Sequence, residues 1–106
     1  MIYAIKAPYI STKLAEFHQK LIDGTIAAQK PDGREIVESM RRATITEPGL
    51  VQWSERSFCS PPLAHERQTI YDRYFTDMEI EPVAHYMQFE GKPFMEVMDS
   101  EQPSEA

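Results

Sequence analysis

A chain of 106 residues, 42% apolar and 26% charged, is the size of one domain and has the balance of a soluble globular protein. No apolar run approaches the roughly 20 residues of a spanning helix, and MIYAIKAPYI is too short and lacks the cleavage site of a secretory signal. No membrane association is expected, and the default compartment is the cytoplasm.

The net charge of −6 is unevenly placed. Residues 1–76 carry ten Lys/Arg against nine Asp/Glu, whereas residues 77–106 carry eight acids against Lys92 alone. Such a balance argues against direct nucleic-acid binding, which wants a basic stripe. The segment DSEQPSEA, residues 99–106, is small, polar and acidic, so a disordered acidic tail is expected behind a single domain spanning 1–98. The single cysteine, Cys59, excludes an intramolecular disulfide, and between Phe58 and Ser60 it reads as a small core filler.

In chain order, MIYAIKA predicts a buried strand ending at Pro8, and Ser11 then caps a helix over Thr12 to Asp23. Leu14, Phe17, Leu21 and Ile22 share one arc of that helix, with Gly24 in the stop position. GTIAAQK reads as a short strand or an extended connection. Asp32 and Glu35 have the spacing of a capping box, opening a helix to about Ala43 with Ile36, Val37 and Met40 inward. LVQWSERSF has strand propensity and reads as an edge strand, with Val51, Trp53 and Glu55 on one side.

Ser60, Pro61 and Pro62 suit the first turn of a helix to about Thr76. PVAHYMQF and FMEVM flank Glu90-Gly91-Lys92-Pro93 with the composition of a β-hairpin. The expected class is α+β: a two-layer sandwich of about three helices on one face of a mostly antiparallel sheet of four to five strands, closed by a C-terminal β-hairpin.

His65 and Glu66, the centre of SPPLAHERQTIYDRYF, suggest a metalloprotease helix. Position 69 is Thr, however, so the second His is missing, and the pair reads as a solvated face. Arg67 falls in the apolar arc of Leu63, Ile70, Tyr71 and Tyr74. It must stack, snorkel or meet a carboxylate, for which Glu55 is a candidate. His18 lies in the first helix's apolar arc, and His85 alternates with Val83, Met87 and Phe89. A hydrogen-bonded core histidine is the plain reading of each. Convergence of His18, Glu55, Arg67 and His85 in one pocket would instead make an acid-base or ligand-binding site. No ligand spacing for a metal, no phosphate loop and no nucleophile motif is present, so no cofactor, metal or catalytic residue is assigned.

The opening MIY strand, a helix carrying His18, the PDG turn at Pro31 to Gly33 and the MEIEPV stretch at Met78 to Val83 resemble the dimeric α+β-barrel proteins. That plan is departed from by an added helix at 33–43 and a hairpin after the last strand. The resemblance implies a homodimer that binds or transforms a small molecule without a cofactor, using His18 and Arg67. Charge points elsewhere: to a regulatory interaction protein whose hairpin acids Glu79, Glu81, Glu90 and Glu96 engage a basic surface on a protein partner, such as nucleic-acid-binding machinery.

Overall fold

A computed structural model describes residues 1–47 and 49–100. Strand β1 (Ile2–Pro8) buries Ile5 and Ala7 and ends at a proline, whose missing amide suits the last position of a strand. A 3₁₀ turn at Ser11–Lys13 leads into α1 (Leu14–Ile22); no side chain caps either element. Leu14, Phe17, His18 and Leu21 turn inward at helical spacing, while Ile22 lies outward, 58% exposed. Residues 23–32 form turns rather than a strand, yet they bury Ile26.

Helix α2 (Gly33–Arg42) buries Ile36, Val37 and Met40. Its first residue can only be glycine, because a Cβ there would overlap the Ile26 carbonyl. The expected capping box does not form. Asp32 makes no cap bond and turns to His65 instead, and Glu35 accepts from the Arg56 amide.

β2 (Thr44–Glu47) and β3 (Leu50–Arg56) form an antiparallel pair. The next helix, α3, spans residues 64–74: Ala64–Glu66, a π-helical turn Arg67–Tyr71, then Asp72–Tyr74. It starts after Leu63, buried and left-handed at φ 64°, and not at the prolines. β4 (Glu79–Val83), β5 (Lys92–Pro93) and α4 (Phe94–Ser100) complete the described residues.

The sheet is antiparallel throughout, in the order β4-β1-β3-β2-β5. Among the described residues four helices pack on it, so the α+β two-layer class holds. The first four strands have the split-βαβ strand order, with two helices, α1 and α2, in the first crossover and α3 in the second, so the run is βααββαβ. β3 is central, not the expected edge, since β1 pairs along its whole length.

The C-terminal hairpin is absent. Phe94 and Met98, four residues apart, are both fully buried, which is helical periodicity, and FMEVM is accordingly the heart of α4. Of the other expected arm, residues 82–89, the first two end β4, and residues 84–91 form an irregular strap across the helix-free side of the sheet. The Met87 amide donates to Ser54 Oγ at 2.8 Å, that hydroxyl donates back to the Met87 carbonyl, and the Gln88 side chain donates to the Arg42 carbonyl. Gly91 passes so close to Ile45 that a Cβ would meet its carbonyl at 2.7 Å. α4 continues to Ser100, two residues into the span expected as tail; residues 101–106 lie outside those described.

β2 is too short to cover β3 beyond Gln52, and α2 supplies the missing partners. Arg42 Nη2 donates to the Ser54 carbonyl, and Glu35 Oε2 accepts from the Arg56 amide. Tyr86 of the strap closes over both, donating to Glu35 at 2.9 Å with its ring 4.3 Å from the Arg42 guanidinium.

Candidate functional site

Along β3 the side chains of Val51, Trp53 and Glu55 all point to the helical layer and all are buried. Glu55 is the anomaly, a carboxyl with no exposed surface in an aromatic setting. Its Oε1 accepts two hydrogen bonds, from Trp53 Nε1 at 3.0 Å and from the Tyr71 hydroxyl at 2.5 Å. Oε2 is buried and has no hydrogen-bond partner among the described residues. Burial pushes the Glu55 carboxyl up to about 8, although the two donors oppose that rise. The group is therefore neutral at pH 7, and burial drives the Tyr71 phenol well above its ordinary value.

Glu66, expected on a wet face, is 2% exposed and lies in the same compartment. The wheel fails here because Leu63 is not helical and the π turn gives α3 an extra residue per turn. The inward stripe is thus Leu63, Glu66, Ile70 and Tyr74, and Arg67 is rotated out of it. Burial raises the Glu66 carboxyl too, with the Asp32 charge adding to the effect. Around it, Cys59 Sγ lies 3.5 Å from Oε1, and the Ser57 hydroxyl accepts from the Leu63 amide, which fixes the left-handed start of the helix. Cys59 is half-buried at this carboxyl rather than a core filler.

His65 Nδ1 lies 2.7 Å from Asp32 Oδ2, whose other oxygen is buried without a partner among the described residues. Sequence reading missed this pair because the two residues are 33 positions apart.

Beside the buried acids is a cleft of about 410 Å³ between the sheet and α3. Tyr3, Ile80 and Pro82 form its floor, Ala64, Arg67, Gln68 and Asp72 its wall, and Pro61 and Pro62 its rim. Arg67 donates through Nε to Asp72 at 3.3 Å, so it has a carboxylate partner, but that partner is not Glu55. Tyr3 is the antiparallel register partner of Glu55, on the same face of the sheet, and lines the cleft.

The four polar candidates do not converge. Glu55 and Arg67 flank one region, His18 is buried on α1 with Phe17 and Leu21, and His85 is exposed on the strap across the sheet. No group of three His, Cys, Asp or Glu among the described residues is placed to hold a metal ion. The four candidate acids are all exposed. Glu79 and Glu81 line a depression of about 240 Å³ on the helix-free side with Lys6, Gln52 and Phe89. The Glu90 carbonyl accepts from Thr44 on that side, while Glu96 sits in the first turn of α4, in the helical layer.

Comparison with family models, with curated proteins and with solved structures found no match for this chain. Among the described residues, no helix is long and apolar enough to cross a membrane.

Proposed function

We propose that the protein binds a small molecule in the cleft between β1, β4 and α3, and that Arg67 holds an anionic group of that ligand. The observation that carries this reading is the cleft's composition. A mostly apolar hollow large enough for a small organic molecule has one arginine on its wall and a fully buried neutral carboxyl behind its floor. Arg67 bonds Asp72 through Nε, which leaves the two Nη groups of its guanidinium for a carboxylate. The π turn that presents Arg67 and Gln68 to the cleft also turns Tyr71 inward to Glu55, so a single distorted turn builds both sides of the site.

The test is calorimetric titration with benzoate and with hexanoate against wild type, Arg67→Ala and Arg67→Lys. Arg67→Ala should weaken carboxylate binding at least about tenfold, equivalent to about 1.4 kcal/mol. Equal affinities in wild type and Arg67→Ala would remove the arginine from the site.

A second reading, an acidic docking face for a basic protein partner, is supported by a different observation. Glu79 and Glu81 stand side by side on the exposed edge strand β4, next to Phe89, and make no ion pair among the described residues. Their potentials add, and a basic partner would be steered toward that side.

A further inference from the structure

The free oxygen of Glu55 has a consequence for what the cleft can hold. With two donors already on Oε1, the proton of a neutral carboxyl belongs on Oε2. This O–H has no acceptor among the described residues. Buried donors of this kind are ordinarily satisfied, and one left open beside a cleft points to an acceptor brought by a ligand. Among the described residues, no cation pairs with the carboxyl. The groups facing it are Tyr71 and Glu66 from α3, Trp53 on its own strand, Glu35 from α2 and Tyr3 from β1.

Tyr3 lines the cleft and is the directly opposed partner of Glu55 in the sheet. Directly opposed residues of an antiparallel pair have Cβ atoms about 4.5–5.5 Å apart, so Glu55 lies one side chain behind the floor. The Tyr3 hydroxyl makes no hydrogen bond among the described residues, and packing alone fixes its ring. Rotation of the ring therefore breaks no polar contact.

We propose that Tyr3 is a movable partition, and that the ligand carries, opposite its anionic end, a neutral hydrogen-bond acceptor that takes the Glu55 Oε2–H. The anionic half of this description rests on the reading of Arg67 given above; the acceptor half rests on Glu55 and Tyr3 alone. Ligands of this class are oxo acids and other carboxylates bearing a carbonyl or ring nitrogen at the far end.

Trp53, the only tryptophan, donates to the same carboxyl, so its fluorescence reports Glu55 titration directly. The probes are 4-acetylbenzoate and 4-isopropenylbenzoate, whose planar substituents match in shape and differ in the acceptor. On wild type, both should bind through their carboxylates, but only the acetyl compound should raise the Trp53 titration midpoint and bind several-fold more tightly. Equal affinities together with an unmoved midpoint would overturn the acceptor.

The partition is tested without any ligand in Tyr3→Ala, or in Tyr3→Leu if the alanine variant does not fold. Opening the floor should admit acrylamide to Trp53 and lower the midpoint from about 8 by at least one pH unit. An unchanged midpoint with Trp53 still shielded would overturn the partition. If neither probe binds wild type, the cleft reading and the acceptor fall together, and the variant's titration still decides whether Tyr3 seals Glu55.

Discussion

The Tyr71 hydroxyl and the Glu55 carboxyl meet at 2.5 Å in the interior, one from a π-helical turn and one from the central strand, and they tie the helical layer to the sheet. Both groups are buried, so neither has water as a substitute. Tyr71→Phe leaves Glu55 with the Trp53 donor only. Because that hydroxyl lowers the Glu55 pKa, its loss should move the Trp53-detected midpoint above 8, and chemical denaturation at pH 6 should show a loss of about 1–3 kcal/mol. A midpoint that falls would show that the hydroxyl does not stabilise the ionised form.

The same carboxyl sets a slope of stability with pH. Its folded pKa, about 8, is above the ordinary 4.5, so the folded state holds a proton that the unfolded state has released between those values. The stabilisation is complete below about 4.5 and is lost as pH rises through the folded value, at up to about 1.4 kcal/mol per pH unit. Glu66 shifts in the same direction and adds to the loss. Denaturation at pH 5, 6.5 and 8 should therefore show falling stability, with a flatter profile in Glu55→Gln. A wild-type profile that rises over this range would contradict the neutral acid.

Much of this fold could be read from the sequence because it follows local periodicity. The Leu14, Phe17, Leu21 stripe, the Ile36, Val37, Met40 stripe and the shared side of Val51, Trp53 and Glu55 are where their spacings put them. The failures have physical causes. Alternation in Val83, His85, Met87 and Phe89 resembles a strand, but only Val83 lies in one, at the end of β4; beyond it the Met87 backbone bonds to the Ser54 side chain and the Glu90 carbonyl to that of Thr44. A left-handed Leu63 followed by a π turn shifts the helical register, exchanging the places expected for Glu66 and Arg67. The Asp32–His65 contact and Tyr3's position beside Glu55 depend on tertiary pairing that a single sequence does not encode locally.

His65 and Asp32 make a pair whose two ends differ in exposure, 37% and 11%. Removing the imidazole leaves Asp32 with both oxygens unpartnered at the start of α2. His65→Ala should cost about 1–3 kcal/mol, and the double variant His65→Ala/Asp32→Ala should recover part of that loss, since the stranded carboxylate is gone. Purely additive effects in the cycle would mean that the contact contributes nothing.

The strap is fastened most directly by Ser54, whose hydroxyl both accepts from and donates to Met87. Ser54→Ala should cost only about 1 kcal/mol globally, because the exposed Met87 can turn to water. Its signature is local: the Met87 amide should lose hydrogen-exchange protection while amides of β1 keep theirs. Unchanged Met87 protection would place the fastening elsewhere, at Tyr86 and Gln88.

The acidic third gives the last test, because the structure separates acids that the sequence grouped. Glu79 and Glu81 stand on the helix-free side with Lys6 as a nearby counter-charge, and Glu96 rides on α4 in the opposite layer. One flat partner cannot cover both sides. If a basic surface docks on the helix-free side, the double variant Glu79→Gln/Glu81→Gln should slow association with a lysine-rich peptide at low salt, and the difference should fade near physiological ionic strength, where the Debye length is about 8 Å. Glu96→Gln should leave the rate unchanged. Equal effects per charge removed in the two variants would mean that only net charge attracts the peptide, and an unaltered rate in the double variant would exclude this face. Either result would leave the cleft beside Arg67 as the site to pursue.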